Sequence, residues 1–435
     1  MRIDKISVEN FRLFEKQDFS FHPQFNLIVG VNGSGKSSLL RALLACISGQ
    51  MLELGVSSDG DIYLLQDDDV SQKIVGDAEI RYERIGNGEI EIKAIFCDDN
   101  IQAREVVARK NSPIFSSRLV QKTLNQTKEY WPISWSLSVE YIAPMYIFYG
   151  CNRLWQSSKN EKIFENAMTA KYSRRDGYKD WASAQADSNQ LVEWLLKQNI
   201  IAFQEGKESL GWRVLNKALK NCFEGFEKLS FMAKEGDLVV HDIDDKGNSR
   251  RKLFKHMSDG QRCMIGLIGD MVRRAVLLNP QLGDEILEKT AGVVLIDELD
   301  LHLHPTWQRR IIDDLKTTFP KVQFICTTHS PQLIGQAKAD EIILLGADSE
   351  HPPQSYGMDS NWILRHIMGS DERDASVKEQ LDDIFEYIED NQFDEAENEI
   401  KALRAQIGES SDLPDLQEAE ALITRYSRFD DAEDK

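Results

Sequence analysis

The 435-residue sequence has few cysteines, and they lie far apart, at positions 46, 97, 151, 222, 263 and 326. They form no Cys-x-x-Cys pair, so no zinc site is indicated, and scattered thiols are typical of a reducing compartment. The opening residues, MRIDKISVENFR, lack the apolar stretch of a signal peptide. No apolar run approaches the ~18 residues that a membrane helix requires. These absences predict a cytoplasmic protein without membrane contact.

Positive charge is scarce, above all near the C-terminus. The chain has 52 Lys and Arg against 72 Asp and Glu, a net charge of −20. Residues 371–435 hold 22 acidic and 7 basic side chains, a net charge of −15. Such a segment repels nucleic acid and favours a basic protein partner, unless it simply caps its own core. Three basic clusters, Arg174-Arg175, Arg250-Arg251-Lys252 and Arg273-Arg274, are either solvated faces or contacts for nucleic acid.

Hydrophobic periodicity predicts an α/β protein of roughly two or three domains. It predicts two or three strands within residues 1–30, buried strands at 145–149, 292–298, 321–329 and 340–346, and hairpins at 77–96, around Asn87-Gly88, and at 238–254, turning at Asp245-Lys246-Gly247. It predicts helices at 35–48, over most of 155–235, at 264–278, and from about 375 onward, where Phe393, Ala396, Ile400, Leu403 and Ile407 share one face.

The segment GVNGSGKS, residues 30–37, fits the pattern G-x-x-x-x-G-K-[ST] completely. It follows an apolar strand and precedes an apolar helix, which is the context that such a phosphate loop requires. Its backbone N–H groups and the helix N-terminus attract phosphates, while the lysine neutralises charge and the final hydroxyl binds Mg²⁺. We therefore predict that ATP and Mg²⁺ are held by Gly30, Asn32, Gly33, Ser34, Gly35, Lys36, Ser37 and Ser38.

Polar residues follow two further buried strands. Asp297 and Glu298 end the segment VVLIDE, and His329 ends ICTTH. In a phosphate-loop ATPase the first acid holds Mg²⁺ through water and the second polarises the attacking water. Without that loop the pair is an ordinary strand end, and a lone histidine after a strand is more often structural. With the loop present, we predict Asp297 as a metal-binding residue and Glu298 and His329 as catalytic residues.

The segment LDLHLHPTWQ follows these acids directly. Asp300 is placed where a loop reaches a neighbouring subunit, so we predict that it contacts nucleotide there. His302 and His304 have no cysteine or carboxylate partners with ligand spacing. A structural role is therefore predicted for both histidines.

A second glycine motif, FKHMSDGQRCMIG, spans residues 254–266 and has no lysine. By itself it predicts a serine N-cap, Ser258, in front of an amphipathic helix. The order of phosphate loop, serine–glycine motif, acid pair and histidine resembles the ABC-type ATPase head of SMC-like, RecF-like and OLD-like proteins over most of residues 1–346. The resemblance implies a β-rich lobe, a mixed central sheet and an inserted helical lobe, followed by an all-helical acidic segment. The implied boundaries are residues 1–150, 151–290, 291–350 and 360–435.

The same resemblance identifies MSDGQR as the signature motif of that family. It implies that Ser258, Asp259, Gly260 and Gln261 contact a nucleotide held by a second copy of the protein, so that ATP joins two heads into a homodimer. It also implies a phosphate contact for Arg12. The Q-loop position, beside the metal, falls to Asn152 or, as a rival, to Gln66.

The absence of nuclease features in this sequence narrows the choice among subfamilies of these ATPases. Only about 85 helical residues follow the last strand, which leaves no Toprim nuclease domain, and the eight histidines form no HNH set. The segments YGCNRLW and SRRDGYKDW and the tail from WILRHIMG resemble the PtuA group, the ATPase subunits of Septu-type anti-phage systems, some of which are tied to retrons. That group works beside a separate HNH nuclease, PtuB, so the resemblance implies an HNH nuclease partner, with DNA or retron msDNA as a further candidate ligand. The alternative is a stand-alone RecF-like or SMC-like DNA-repair ATPase.

Overall fold

The computed structural model describes residues 1–53, 65, 69, 72–75, 81–84, 90–97, 103–109, 141–151, 163–183, 188–232, 237–244, 246–346, 351–370, 373–408 and 413–433. They form two compact units, Met1–Ser360 and Asn361–Lys435. The finer domain boundaries implied by the sequence remain predictions.

The described strands are β1 (Arg2–Phe11), β2 (Phe14–Ser20), β3 (Phe25–Val29), β4 (Gln72–Val75), β5 (Arg81–Arg84), β6 (Glu91–Cys97), β7 (Ala103–Arg109), β8 (Met145–Tyr149), β9 (Phe226–Met232), β10 (Asp237–Ile243), β11 (Ser249–Leu253), β12 (Gly292–Ile296), β13 (Val322–Thr327) and β14 (Ile342–Leu344). The described α-helices are α1 (Lys36–Glu53), α2 (Ile163–Thr169), α3 (Ser188–Glu205), α4 (Leu210–Cys222), α5 (Asp259–Leu278), α6 (Ile286–Lys289), α7 (Pro305–Gln308), α8 (Ile311–Thr318), α9 (Pro331–Ile334), α10 (Ser360–His366), α11 (Ala375–Glu389), α12 (Phe393–Ile407) and α13 (Pro414–Glu433). Short 3₁₀ turns lie at Arg174–Tyr178, Phe254–His256, Pro280–Glu285 and Ala339–Glu341.

A parallel sheet in the order β14-β3-β13-β12-β8 forms the centre of the first unit. Strands β3, β12 and β13 are buried along their whole length, as expected of a parallel sheet covered on both faces. All five described strands are parallel, whereas the sequence predicts a mixed sheet. The difference arises because antiparallel strands form sheets of their own. The carboxyl ends of β3, β12 and β13 meet at one edge, and the predicted site residues follow them.

A separate antiparallel sheet, in the order β2-β1-β6-β7, packs against α1. The predicted hairpin over residues 77–96 is wrong, because β5 pairs with β4 while β6 pairs with β1 and β7. Its proposed turn, Asn87-Gly88, lies outside the described residues. The Asn-Gly turn predicts that the two segments beside it pair with each other, but β6 pairs with the longer strand β1 instead.

Helices α2 to α4 and the long helix α5 pack against one another within the first unit. The large aromatics of this region pack inside it, as the sequence predicts: Tyr178, Trp181 and Trp194 are fully buried. The predicted helical stretch ends too late, because Phe226–Met232 is strand β9, paired with β10. The predicted hairpin at 238–254 is present as β10 and β11.

The second unit contains the helices α11, α12 and α13, which pack around an apolar core. Of the predicted apolar face of α12, Ala396, Ile400 and Leu403 are buried, while Phe393 and Ile407 are partly buried against them. An ion pair joins Arg404 to Glu420, 2.8 Å apart, and another joins Arg373 to Asp415. Among the described residues of either unit, no helix is both long and apolar enough to span a bilayer.

Candidate nucleotide site

The phosphate loop, residues 30–37, connects β3 to α1. Gly33 and Gly35 have φ angles of 82° and 102°, in the left-handed region that favours glycine. A Cβ on Gly35 would lie 2.9 Å from the ring of Phe14, and one on Gly30 would lie 2.9 Å from the carbonyl oxygen of Leu345. Conformation and space therefore both require glycine in this loop.

Lys36 lies across the phosphate loop rather than pointing into solvent. Its Nζ donates hydrogen bonds to the carbonyl oxygens of Gly30, at 2.8 Å, and Val31, at 2.9 Å. Burial lowers the pKa of Lys36, and the nearby charges of Asp297 and Glu298 oppose that shift. The ammonium group is thus held inside the loop, between its carbonyls and the acid pair.

The loop has unsatisfied hydrogen-bonding capacity. The hydroxyl of Ser34 is buried without a partner among the described residues, and Asn32 and Gly33 are exposed. The hydroxyl of Ser37 donates to Oδ2 of Asp297 across 3.2 Å, which places two oxygen ligands of the kind Mg²⁺ prefers side by side. These residues fit a phosphate group with a divalent cation.

Thr327, at the end of β13, orients the acid pair at the end of β12. Its hydroxyl donates to Oδ1 of Asp297 at 2.6 Å and accepts from the backbone N–H of Glu298 at 2.7 Å. The N–H of Asp297 donates to the carbonyl oxygen of Tyr149 on β8 at 2.8 Å. The acids are therefore fixed from both neighbouring strands. The sequence signal for Thr327 is its position at the end of the apolar run, two residues before His329 in ICTTH.

Glu298 has a φ angle of 53°, in the left-handed region, and is half-buried. A strained conformation of a non-glycine residue persists only where its surroundings enforce it. Here Leu299 N–H donates to the carbonyl oxygen of Thr327, and Leu301 N–H donates to that of Glu298. These two hydrogen bonds hold the backbone turn at Glu298.

The loop after Glu298 is also held from β13. The Thr328 hydroxyl donates to Oδ1 of Asp300 at 2.6 Å, and His329, the next residue, is half-buried at the same edge. His304 is the N-cap of α7, where its Nδ1 accepts from the N–H of Thr306. Within the described ranges, no cluster of residues suited to a metal ion includes His302 or His304. The N-cap contact gives His304 a structural role, whereas the structural role of His302 stays a prediction.

The signature motif begins α5. Ser258 is its N-cap, and Ser258 and Gln261 form a reciprocal capping box. A Cβ on Gly260 would lie 2.3 Å from the carbonyl oxygen of His302, so the start of α5 packs on the loop that follows Glu298. Ser258 and Asp259 are exposed. The motif is therefore in backbone contact with the loop after Glu298, and its first residues, Ser258 and Asp259, face solvent.

Arg12 forms an ion pair with the buried carboxylate of Asp69, 2.7 Å away, and its own N–H donates to the carbonyl of Asp69. No local sequence pattern indicates this partner, which lies 57 residues away. The predicted phosphate contact of Arg12 stays a prediction. Both Q-loop candidates, Asn152 and Gln66, lie outside the described residues.

Four buried side chains, which we call the Asp270 cluster, connect β8 to α5. Asp270 accepts hydrogen bonds from Tyr149, Arg273 and Arg274 at 2.8 to 3.0 Å. Burial would raise the pKa of Asp270, but the charges and hydrogen bonds of the two arginines hold it well below its usual range. Because Arg273 and Arg274 are 3% and 4% exposed, both alternatives for this pair, a solvated face and a contact with nucleic acid, are wrong. Arg174 likewise donates to the carbonyls of Leu278 and Tyr141.

The AAA_21 family model, described as "AAA domain, putative AbiEii toxin, Type IV TA system", matches residues 25–335. The chain belongs to this family. It is similar to the "Retron Vc95 probable ATPase" of Vibrio cholerae serotype O1 biovar El Tor, with 26% identity covering 79% of this chain and 73% of that protein. It is also similar to the "Septu protein PtuA" of Bacillus mycoides, with 26% identity covering 79% of this chain but only 40% of that protein. The chain is thus a P-loop ATPase that binds nucleotide and resembles PtuA.

Among solved structures, the SMC head domain from Thermotoga maritima aligns over 79% of this chain and 94% of that chain, with 15% identity and a TM-score of 0.39.

Proposed function

We propose that the chain is the ATP-binding and ATP-hydrolysing regulatory subunit of a bacterial anti-phage defence complex. Two copies pair around ATP, and the pairing controls a separate HNH nuclease. The observation that carries this proposal is the exposed start of α5, a lysine-free motif that lies outside the phosphate loop. The phosphate loop and acid pair form one surface, and the exposed, lysine-free signature motif forms the other. The names of the Septu and retron relatives support the defence role.

In this proposal, Lys36 and the loop N–H groups bind the phosphates of ATP, and Asn32, Ser34 and Ser38 complete the loop. Mg²⁺, when bound, neutralises phosphate charge, and Ser37 and Asp297 are the residues that hold it. The Glu298 carboxylate accepts a proton from the attacking water, in the geometry that Thr327 enforces. His329 orients that water or donates to the terminal phosphate from the end of β13.

The signature motif acts on the nucleotide of the other copy. Ser258, Asp259, Gly260 and Gln261 offer a hydroxyl, a backbone N–H and the helix N-terminus, all of which favour an anion. No lysine is required there, because Lys36 of the other copy already neutralises the phosphates. Asp300 lies in the loop packed on Gly260 and reaches the same interface. A lysine-free motif therefore predicts that the ATPase pairs in order to work.

Ser258→Ala tests the pairing. The variant should bind ATP as the wild type does, because the phosphate loop is untouched, but its ATP-driven pairing should weaken on the order of tenfold through loss of a hydrogen bond to a charged group. Light scattering with and without ATP measures this. Ser209→Ala is the matched control, since Ser209 also caps a helix, α4, away from the site. A Ser258→Ala protein that pairs like the wild type would remove the cross-subunit role.

The acidic second unit is the proposed docking site for the nuclease. Its exposed acids attract a basic partner, and its helices pack around a core of their own. We expect a co-expressed HNH protein to co-purify with the full chain and to be lost when residues 370–435 are removed. A second form of this test preserves the fold and uses the triple substitution Asp382→Asn, Asp383→Asn and Glu386→Gln on the exposed face of α11. If no HNH protein co-purifies with the full chain, the nuclease assignment fails, whereas the ATPase assignment stands.

A further inference from the structure

The three-stranded sheet in the order β11-β10-β9 carries a line of basic side chains on one face. His241 of β10 lies opposite Lys228 on β9 and Arg251 on β11. Residues directly opposite each other in antiparallel strands project to the same side. We call these three residues the basic row. Since neighbouring strands lie about 4.8 Å apart, the row is roughly 10 Å long.

The basic row has little negative charge to oppose it. Across the described parts of the chain, Lys228 and Arg251 form no ion pair, and both are exposed. Glu227 is the nearby carboxylate, and it accepts a hydrogen bond from the Ser249 hydroxyl. Burial, followed by the charges of Lys228 and Arg251, lowers the pKa of His241, while Glu227 opposes the shift. The row is therefore a local positive field on a chain whose net charge is −20.

The opposite face of the same sheet provides a contrast. There Asp242 pairs with Lys252, 2.7 Å away, and with Arg250, 3.7 Å away. The carboxylate offsets those two cations. Of the sequence cluster Arg250-Arg251-Lys252, only Arg251 therefore lies on the face that carries the basic row. The other two members of the row, Lys228 and His241, come from β9 and β10.

We propose that the basic row binds the sugar–phosphate backbone of a nucleic acid. A row of about 10 Å matches the axial rise of about three nucleotides of one strand, at ~3.4 Å each. Contacts to phosphate oxygens carry no sequence information, so we expect binding to be independent of sequence. The Ser230 hydroxyl, 3.0 Å from Nε2 of His241, adds a polar group of the kind that also contacts phosphate oxygens.

The basic row is also connected to the signature motif. Strand β11 ends at Leu253, the turn Phe254–His256 follows, and Ser258 begins the cap of α5. Leu253 lies opposite Val239, two residues before His241 on β10. A nucleic acid backbone bound to the basic row therefore contacts β11, the strand that leads into the signature motif. This inference goes beyond the proposed function and does not depend on a nuclease partner.

The test uses the full chain with the double substitution Lys228→Ala and Arg251→Ala. Binding to a short mixed-sequence DNA duplex and to a single-stranded RNA of equal length is measured by fluorescence anisotropy over a series of salt concentrations. The wild type should bind at least one of the two, and the double variant should bind it on the order of tenfold more weakly. The slope of log affinity against log salt should fall by about two, since two phosphate contacts are lost.

The matched control is Arg250→Ala, next to Arg251 on the same strand but paired with Asp242 on the other face. It should change affinity less than twofold, and all variants should keep wild-type melting curves and ATPase rates. The proposal is overturned if the wild type binds neither probe at low salt, or if the double variant binds as well as Arg250→Ala. It is equally overturned if only an acidic peptide such as polyglutamate binds the row, because the surface would then take an acidic protein.

Discussion

Glu298→Gln is expected to slow ATP hydrolysis by on the order of 10²-fold or more while nucleotide binding remains intact. The glutamine has nearly the same shape and keeps the hydrogen bond from its own N–H to Thr327. It cannot accept the proton of the attacking water. Single-turnover phosphate release measures hydrolysis, and a fluorescent ATP analogue measures binding.

Two further variants separate chemistry from positioning. Lys36→Ala should lose ATP binding itself, because it removes the buried ammonium at the loop. Thr327→Val keeps both acids but removes the hydroxyl that joins them. Its hydrolysis rate should fall with ATP binding retained, by less than in Glu298→Gln. Since Glu298→Gln blocks turnover, it should also accumulate the ATP-bound pair in light scattering. Wild-type hydrolysis by Glu298→Gln would show that another group is the base.

Much of the nucleotide site follows from local sequence. The phosphate loop and the acid pair each follow a continuous apolar run, and parallel strands with such runs place their carboxyl ends together. Lys36, Ser37 and Asp297 are therefore brought within reach of one another in the structure. The helix start at Ser258 is equally local, because a serine with a glutamine three residues later forms a capping box.

What the sequence does not predict depends on contacts between distant segments. Asp69 meets Arg12, and Thr327 meets Asp297, only because the strands fold against each other. The sequence predicts a helix where strand β9 lies, because a short apolar stretch has ambiguous periodicity. The pairing of this segment with β10 makes it a strand. Arg273 and Arg274 resembled a surface cluster. The missed signal was Asp270, three and four positions earlier on the same helix.

Asp270→Ala is expected to destabilise the first unit by about 3–5 kcal/mol, because it leaves two buried arginines without their counter-charge. Arg273 and Arg274 are almost fully buried and cannot regain hydration. Because folding depresses the pKa of Asp270, its contribution is fully present at neutral pH and is lost only as the pH falls through the folded-state pKa. Urea unfolding followed by tryptophan fluorescence measures the loss, with Trp181 and Trp194 as buried reporters.

The controls distinguish burial from pairing as the cause of this effect. Glu285→Ala removes an exposed pair with Lys289 at the same i,i+4 spacing as Asp270 and Arg274, so it should cost at most about 1 kcal/mol. Tyr149→Phe removes one hydrogen bond of the Asp270 cluster and should cost about 1 kcal/mol. Because the Tyr149 carbonyl accepts from the N–H of Asp297, loss of the cluster should also lower the ATPase rate of the folded Asp270→Ala protein. Equal stabilities for Asp270→Ala and Glu285→Ala would mean that the buried arginines find other partners, and that β8 and α5 are held together by apolar packing alone.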